Sequence, residues 1–465
     1  MYFGYNYSIE YATDTYPTFQ ELGTWKEKIY INGRIVAGFV YYLIERLGIT
    51  GGIIYHISQL SSIILLTCSV ALLAHIYKKH IENLEISVLL AFIALVNPFI
   101  IEYFLFVEKG LLIFAILLNV IALYFTEKIW HSGFGIMPAI LTLISLLLAV
   151  FTYQTSIQSY VVLALPLIVI SKTDFFKKNV FVATMYVVCM GLAFASVKWI
   201  FVSDRLGESE EAARPTFVEG LETIRRVTFD SFFHMGKGVF SIWCIVLVLI
   251  SVICVVCAIN KLQTALAFLY IIIGCIFTSF ILHFIVAEIG CSPRTVYSYG
   301  ILFGTTLFYA FTVEKEDGWL ALGKAAGVLS LCLILTIISY DYIAFGKVFI
   351  NRYKCNQENL YYAEIIGEQI EEYEQLTGEV IDTICFYVDY NITWWGDGYS
   401  EDNFSTRAQS CGWSRLTSIN LYLEKEYIEG EADPEYEEYF ATRNWNTYSQ
   451  EQLIFDGNIL HLCVY

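Results

Sequence analysis

The sequence has few charged residues, and basic residues are the scarcer kind. Asp, Glu, Lys and Arg make up 16% of the 465 residues, whereas soluble domains have about 25%. Hydrophobic residues make up 57%, and the mean hydropathy is +0.58. The net charge of −17 argues against a nucleic-acid partner, because phosphate binding needs clustered Lys and Arg. The composition predicts a membrane protein whose partner is the lipid bilayer.

Several motifs are also missing. Residues 1–16 have neither the basic start nor the apolar core of a signal peptide. Residues 344–465 contain no glycine-rich phosphate loop, zinc-ligand spacing or nucleophile elbow. Cys254-x-x-Cys257 lies in an apolar run without a second pair or a nearby histidine. We therefore interpret that pair as packing residues and not as a redox or zinc motif.

Apolar runs of roughly 20 residues, the length needed to cross a bilayer, follow one another along the chain. The predicted spans are 53–77, 86–106, 110–126, 134–152, 155–171, 180–202, 238–258, 262–287, 295–313 and 319–342. Segment 31–48 has one apolar face and carries charges, which is typical of an interfacial helix. The fold class predicted is a polytopic α-helical membrane protein with about ten spans.

The short loops predict the orientation, since Lys and Arg concentrate on the cytoplasmic side. Alternate loops carry the basic residues Lys78, Lys79, Lys128, Lys172, Lys177, Lys178, Lys261 and Lys315. With these loops in the cytoplasm, residues 1–50, loop 203–237, loop 288–294 and residues 344–465 lie outside. The location predicted is the cytoplasmic membrane, crossed many times, with the polar site residues on its outer face.

The tail, residues 344–465, holds 7 basic and 22 acidic residues, and so carries −15 of the net charge. Its patterns predict a mixed α/β extracytoplasmic domain with a helix ending at Gly378, a strand over 380–390, a helix over 416–423 and a strand pair turning at Asp456-Gly457. We interpret it as a cap or an acceptor-side platform. The run from Glu424 to Glu438 is predicted to be a solvated face.

Three divisions follow: an external segment 1–50, a transmembrane domain 51–343 and the tail. The tail cysteines, Cys355, Cys385, Cys411 and Cys463, are able to pair as disulfides if the tail is extracytoplasmic. The sequence leaves their pairing open.

The first external segment carries a carboxylate, Asp14, and an arginine, Arg34, with Glu10 and Asn32 nearby. A carboxylate can accept the proton of an acceptor hydroxyl, and an arginine can neutralise a departing phosphate. This combination predicts sugar transfer from a lipid phosphate. The alternative is that Asp14 is merely solvated.

A second acidic cluster lies in NPFIIEYFLFVEKG, where Glu102 and Glu108 sit in or beside an apolar run. An ionisable group at membrane depth is costly unless it faces a cavity or a partner. Asn97-Pro98 frees backbone groups and predicts a kink that turns the acidic end towards a site. The alternative is a bend that serves packing.

The remaining candidates are amides and arginines at predicted outer turns. Gln154 and Gln158 suit sugar hydroxyls. Arg294 lies in a short loop and therefore has a fixed position, so we favour it as the phosphate ligand. The other arginines at the outer face are Arg205, Arg214, Arg225 and Arg226. Snorkelling anchors are the alternative role for all of these arginines.

Taken in order, these residues resemble the bacterial type II glucosyltransferase family, a GT-C-like group of polytopic enzymes that modify cell-surface polysaccharides. The resemblance rests on Asp14, Trp25, Asn32-Gly33-Arg34, Asn97-Pro98, Glu102, Glu108 and Gln154. It implies a hexosyltransferase that moves glucose from a polyprenyl-phosphate donor to a glycan acceptor.

The resemblance also implies roles for particular residues. Asp14 is expected to be the catalytic base or a metal-side carboxylate, with Glu102 and Glu108 as a second catalytic acidic pattern. The donor or acceptor site is expected to include Glu10, Asn32, Arg34, Asn97, Gln154 and Arg294. No cofactor is implied with certainty. The acid usually paired with Asp14 is replaced by Thr15, so use of a divalent metal, held by Asp14 and Glu10, stays open.

Family members usually carry a span before the first acidic loop, so the resemblance also implies that a first helix precedes this sequence. Two other functions remain open. A surface polysaccharide polymerase would use loop 203–237 and leave Asp14 idle. A lipid-linked sugar flippase or transporter would need charged residues in mid-membrane, and Lys198 is one of very few.

Overall fold

The computed structural model describes most of the chain, with gaps. The described residues are 11–20, 22–49, 51–133, 135–171, 174–199, 216–222, 224–225, 262–284, 294–316, 323–388, 407–443 and 449–464. The predicted span 238–258 and the Cys254-x-x-Cys257 pair lie outside them.

Helices dominate the described residues up to 377. In chain order they are α1 (Thr15–Gln20), α2 (Leu22–Ile31), α3 (Ile35–Arg46), α4 (Gly51–Ile81), α5 (Leu84–Leu95), α6 (Ile101–Leu105), α7 (Lys109–Ser132), α8 (Ile136–Thr152), α9 (Ile157–Ile170), α10 (Phe175–Trp199), α11 (Leu262–Phe280), α12 (Tyr297–Glu316) and α13 (Gly323–Thr377). Short 3-10 helices stand at Pro98–Ile100, Gln154–Ser156 and Ile281–Phe284.

Membrane-spanning length is reached by four described helical segments. These are Gly51–Ile81, Lys109–His131, Phe175–Lys198 and Leu262–Phe284. Three further apolar segments are shorter: Leu84–Leu95, Ile136–Thr152 and Gln154–Ile170. The chain is therefore a helical membrane protein, and the count of ten spans stays a prediction.

The predicted span 86–106 is interrupted in its second half. Asn97 donates a side-chain hydrogen bond to the Ala94 carbonyl and accepts one from the Phe99 backbone N–H, both at 3.0 Å. These bonds satisfy backbone groups that an uninterrupted helix would pair, since Pro98 has no N–H to donate. The kink predicted at Asn97-Pro98 is thus a full break between α5 and α6.

Helix α7 lies inside the bundle, packed between α4 and α8. In its apolar window 67% of the residues are buried, against 28% in α4, so α4 is the more peripheral of the two. Helices α4 and α7 run in the same direction. The Gly110 backbone N–H donates to Ser58 near their starts, and Lys79 pairs with Glu127 near their ends.

Helices α5 and α12 pack closely because one of them carries a glycine at the contact. A Cβ atom added to Gly304 would lie 2.5 Å from the Cα of Ala94. Any larger residue would force these two helices apart.

Helix α13 is 55 residues long, which at 1.5 Å per residue gives a length of about 80 Å. It contains residues 323–342 of the last predicted span and the first predicted helix of the tail, and it is continuous through residue 343. It ends at Thr377, followed by Gly378 with φ +77°, as the sequence predicts.

The tail folds as a mixed α/β unit. Its elements are β1 (Thr383–Val388), α14 (Arg415–Leu423), β2 (Ile428–Glu429), α15 (Pro434–Ala441), β3 (Leu453–Asp456) and β4 (Ile459–Val464). The sheet order is β2-β1-β4-β3. Strand β1 pairs in parallel with β2 and β4, and β3 pairs antiparallel with β4 through the turn at Gly457.

The tail elements predicted from the sequence are confirmed, and so is the exposed character of most residues from Glu424 to Glu438. The core of this unit joins Ile370 of α13, Ile384 of β1 and Ile419 of α14. Its four cysteines, Cys355, Cys385, Cys411 and Cys463, are buried.

The tail contacts the first described residues of the chain and α1. The Asn356 side chain accepts a hydrogen bond from the Tyr11 N–H at 2.6 Å and donates one to the Tyr11 carbonyl at 2.9 Å. The hydroxyl groups of Tyr16 and Tyr422 lie 2.7 Å apart. The helix predicted over 31–48 is present as α3 (Ile35–Arg46).

Candidate active site

A cavity of about 140 Å³ lies where the first segment, α6, the turn before α12 and the tail meet. A cavity of about 150 Å³ holds a benzene ring, so a six-membered ring fits this space. The residues lining it are Ala12, Thr13, Asp14, Glu102, Leu105, Phe106, Arg294, Arg352, Cys411 and Trp413. Three residues predicted from the sequence, Asp14, Glu102 and Arg294, are therefore brought together.

Asp14 stands directly before α1. The Thr18 hydroxyl donates to the Asp14 carbonyl at 2.8 Å, and the Thr15 N–H donates to the Ala12 carbonyl at 2.9 Å, which fixes the local chain. The Asp14 Oδ2 atom lies 3.9 Å from Arg294 Nη1, and 21% of the Asp14 side chain is exposed. Asp14 is thus a partly solvated carboxylate facing a cation.

Glu102 is almost fully buried, with 1% of its side chain exposed, and it engages Arg294 twice. Its Oε2 atom accepts a hydrogen bond from the Arg294 backbone N–H at 2.6 Å, and its Oε1 atom lies 3.5 Å from the Arg294 Nε. The Arg294 guanidinium also lies 4.3 Å from the centre of the Phe106 ring. Tyr103 adds a hydrogen bond to the Arg294 carbonyl at 3.2 Å. Backbone and guanidinium of Arg294 are both held in place.

The environment of Arg294 favours its charged form. Desolvation lowers the pKa of its guanidinium, but the carboxylates of Glu102, Asp14 and Glu108 outweigh this effect, and the pKa is raised overall. A fixed cation therefore stands between two carboxylates and beside a third.

Arg34 and Glu108 form a second pair next to the first. Their Nη1 and Oε2 atoms are 3.7 Å apart. The Arg34 guanidinium lies 4.9 Å from the centre of the Tyr153 ring, and that ring packs edge-on against Tyr103 at 5.8 Å. Because Tyr103 also contacts Arg294, the two arginine sites share an aromatic wall.

Three predicted polar residues organise the backbone around these pairs. Gln154 donates a side-chain hydrogen bond to the Asn32 carbonyl at 2.6 Å, and Gly33 turns the chain there with φ +74°. Asn97 holds the break between α5 and α6. Gln158 is buried and accepts a hydrogen bond from Ser298 at 3.3 Å. Within the described part of the chain, the cavity lining does not include Asn32, Asn97, Gln154 or Gln158.

Sequence reasoning missed two buried cations. Arg352 in α13 lines the cavity and is 2% exposed, and Lys109 at the start of α7 is fully buried with its ammonium group 4.1 Å from the centre of the Tyr55 ring. Lys109 follows Glu108 directly, so the cost of a charge at membrane depth was a usable signal. Arg352 lies in the tail, which showed no catalytic motif and gave no such signal.

The tail also supplies a thiol and an aromatic ring, Cys411 and Trp413. Burial raises the pKa of Cys411 to about 11, so its thiol is neutral at physiological pH. Trp413 is exposed at the edge of the cavity. The tail therefore closes one side of the site.

An apolar groove of about 210 Å³ begins beside this site. Its lining comes from α3, α4, α7 and the turn before α7, and includes Val40, Ile44, Ile57, Leu65, Val107, Glu108, Leu111 and Phe114. Glu108 is the charged residue shared by the groove and the Arg34 pair.

The remaining predicted residues are Glu10 and the arginines of segment 203–237. Glu10, Arg205, Arg214 and Arg226 lie outside the described residues. Arg225 forms an exposed ion pair with Glu222. Within the described residues, the group able to hold a metal ion is not at the cavity but at His80, Glu127 and His131.

A family model described as glucosyl transferase GtrII matches residues 11–305, more than half of the chain. The chain belongs to that family. No curated protein and no solved structure is matched by this chain. GtrII membership makes the chain a membrane glycosyltransferase, with a sugar donor, an acceptor and the bilayer as its partners.

The GtrII match includes both carboxylate–arginine pairs, and it ends within α12. Arg352, Cys411 and Trp413 lie beyond it. The cavity of this GtrII protein thus combines a wall from the matched region with a wall from its own tail.

Proposed function

We propose that this chain transfers glucose from a polyprenyl-phosphate donor to a cell-surface glycan, with Asp14 as the catalytic base. One observation carries the proposal. The Asp14 carboxylate and the Arg294 guanidinium, 3.9 Å apart, face one cavity beside an apolar groove that suits a lipid chain. A proton acceptor and a phosphate ligand are the two groups that this reaction needs.

The reaction is a displacement at the anomeric carbon of the donor sugar. Asp14 takes the proton of the acceptor hydroxyl while the acceptor oxygen forms a bond to that carbon. The bond from the carbon to the phosphate oxygen breaks, and the lipid phosphate departs with the electron pair. Arg294 and Arg352 neutralise its charge, so a separate general acid is not needed.

Glu102 acts through Arg294. Both of its oxygens are directed at that one residue, and it has almost no exposed surface from which to meet a hydroxyl. A buried carboxylate at this place keeps the guanidinium in one orientation. In this scheme Asp14 is the catalytic carboxylate and Glu102 is a positioning residue.

The second pair and the groove receive the lipid side of the donor. Arg34 and Glu108 stand at the end of the groove, where the phosphate joins the first isoprene units. Apolar side chains from α3, α4 and α7 cover the lipid chain of the donor. Each Å² of apolar surface that is buried in this way stabilises the complex by about 25 cal/mol. Gln154, Asn32 and Asn97 keep this region in shape through their backbone hydrogen bonds.

The membrane arrangement belongs to the same proposal. Ten spans, with the Lys-rich loops in the cytoplasm, place the cavity and the tail outside the cytoplasmic membrane. The divisions 1–50, 51–343 and 344–465 then correspond to an outer catalytic segment, a bundle and a cap that shields the reaction. Any metal at Asp14 would use Glu10 as a second ligand.

The test is a transfer assay in membranes with radiolabelled polyprenyl-phosphate glucose, comparing the wild type with Asp14→Asn. The matched control is Asp174→Asn, which changes an aspartate that is 54% exposed and paired with Lys177. We expect the wild type and the control to label polymer at equal rates, and Asp14→Asn to lose transfer by at least about 100-fold, the lower range for a general base.

Expression and membrane insertion of the three proteins must be equal. Transfer by Asp14→Asn at the wild-type rate would exclude the proposed base. A polymerase or a flippase would leave the labelled donor unreacted in wild-type membranes, and that result would reject the donor assignment.

A further inference from the structure

A cluster of two histidines and a glutamate lies at the far ends of α4 and α7. His80 lies in the last turn of α4, and Glu127 and His131 lie one turn apart on α7. The Glu127 Oε1 atom is 3.6 Å from His80 Nε2 and 3.4 Å from His131 Nε2. All three ligand atoms lie within 4.8 Å of one another.

These distances match the ligand shell of a small divalent ion. Zinc binds imidazole nitrogen and carboxylate oxygen at about 2.0–2.2 Å in tetrahedral geometry, which places neighbouring ligand atoms about 3.3 Å apart. Two histidines and a carboxylate leave the fourth position for water or another ligand. Both Glu127 contacts are already within a few tenths of an ångström of this spacing.

The buried atoms of the cluster are directed inwards. Glu127 is 2% exposed, and its Oε1 atom faces the Nε2 atoms of His131 and His80 at 3.4 and 3.6 Å. Both distances are longer than an ordinary hydrogen bond between nitrogen and oxygen. The His80 ring packs edge-on against Phe308 at 5.9 Å, which orients it. A divalent ion between these atoms would bind all three at coordination distance and would replace the long contacts.

We propose that His80, Glu127 and His131 bind a divalent ion of the zinc class. The ion would clamp the ends of α4 and α7 together. Both helices begin beside the groove and the Arg34 pair, and the 19 residues from Lys109 to Glu127 span about 27 Å. The metal site is therefore on the opposite end of the bundle from the cavity, and it takes no part in glucose transfer.

Lys79 provides the competing explanation. Its ammonium group lies 2.5 Å from Glu127 Oε2 and 5.5 Å from the centre of the Tyr124 ring. In a metal-free site, the Lys79 ammonium group would balance the charge of Glu127. With a metal bound, Lys79 would be a second cation on the same carboxylate, and its removal would strengthen metal binding.

The test measures metal binding by the purified full-length protein in detergent, stripped with a chelator. Zn²⁺ affinity is read from competition with a chromophoric chelator, and Co²⁺ is added separately as a spectroscopic probe. The variants are His131→Gln, Glu127→Gln and Lys79→Gln. The control is His75→Gln, which changes an exposed histidine of the same helix as His80.

We expect one Zn²⁺ per chain and a tetrahedral Co²⁺ spectrum for the wild type and His75→Gln. His131→Gln and Glu127→Gln should weaken Zn²⁺ binding by more than about 10-fold, the smallest loss seen when even an outer partner of a metal ligand is removed. Lys79→Gln should bind Zn²⁺ more tightly than the wild type.

Because His131 is 61% exposed in its side chain, His131→Gln is expected to fold even if Glu127→Gln does not. Equal Zn²⁺ affinity in the wild type and His131→Gln would overturn the proposal, whether the affinity is high or negligible. The readout is independent of transfer activity, so it does not depend on the donor or the acceptor.

Discussion

Glu102 holds Arg294 at two points, through its backbone N–H at 2.6 Å and through its guanidinium Nε at 3.5 Å. The two residues are 192 positions apart in the chain. Their contact joins the broken helix pair α5–α6 to the turn before α12. In the proposed reaction, Glu102 therefore sets the Arg294 guanidinium in position without touching the substrate.

Glu102→Gln tests this positioning role. A glutamine oxygen can still accept the backbone N–H, but the charge that orients the guanidinium is lost, at a cost of about 1.5–3 kcal/mol. We expect kcat/KM to fall about 10- to 100-fold, mainly through a higher KM for the donor. Steady-state transfer kinetics with varied donor concentration measure this split.

Asp14→Asn provides the contrast for Glu102→Gln, because it should lower kcat with little change in donor KM. An equal loss of kcat in both variants would show that Glu102 acts in the chemical step itself. Unchanged kinetics in Glu102→Gln would show that Glu102 does not position Arg294 for the reaction.

Leu111→Trp tests the apolar groove. The larger ring would occupy space between α4 and α7 that the proposal gives to the lipid chain. We expect a higher KM for a polyprenyl-phosphate donor and no change for a donor with a single isoprene unit. Leu148→Trp, at a position 39% exposed on α8, is the matched control.

Competition between the long and short donors would make the groove experiment independent of enzyme amount. If Leu111→Trp changed both donors equally, the groove would not be where the chain binds.

Asn356→Ala tests how the tail is attached. It removes both hydrogen bonds to the Tyr11 backbone and leaves polar groups without their partner, at a cost of about 1–3 kcal/mol. We expect a lower Tm in detergent and faster proteolysis of the tail. Asn458→Ala, which removes an exposed hydrogen bond to Asp382, should have a much smaller effect.

The transfer rate of Asn356→Ala should also fall, because Arg352 sits one turn away on the same helix. Full activity combined with a loosened tail would indicate that the tail only shields the cavity.

His461 makes the tail sensitive to pH. Burial lowers the pKa of this histidine below its ordinary value of 6.5, against the opposing charges of Asp456 and Asp433. The Tyr387 hydroxyl accepts a hydrogen bond from the Asp433 N–H and forms another with His461 Nδ1 at 2.9 Å. The folded tail therefore holds His461 neutral.

Since the folded pKa is the lower one, the unfolded chain binds the proton more readily. Stability is fully present above about pH 6.5 and is lost as the pH falls from there through the folded pKa. We expect faster hydrogen exchange in β1 and β4 under mildly acidic conditions. His461→Gln should remove most of this dependence, and His56→Gln, at an exposed position on α4, should preserve it.

The sequence predicted local features of this molecule well. Asn97-Pro98 marked the break before α6, Gly378 marked the end of α13, and Asp456-Gly457 marked the turn of the last hairpin. Each of these depends on backbone chemistry within a few residues. The charge cost of Glu102 in an apolar run predicted a cavity or a partner, and the structure has both, since Glu102 lines the cavity and contacts Arg294.

Long-range placement could not be predicted in the same way. The parallel pairing of β1 with β4 joins residues about 76 positions apart, and no local pattern encodes it. Arg352 reaches the cavity only because the tail folds back over the first segment. Gln154 was expected to face a sugar, whereas its amide holds the Asn32 carbonyl.

The continuity of α13 has a consequence for how the two halves of the protein move. A helix of 55 residues transmits rotation, because each residue keeps a phase of about 100° to the next. Inserting a single residue upstream of Arg352 would swing its guanidinium about a quarter-turn away from the cavity, whereas a loop would absorb the same insertion. The register of α13 therefore fixes the orientation of the tail relative to the bundle. It also determines whether Arg352 reaches the cavity.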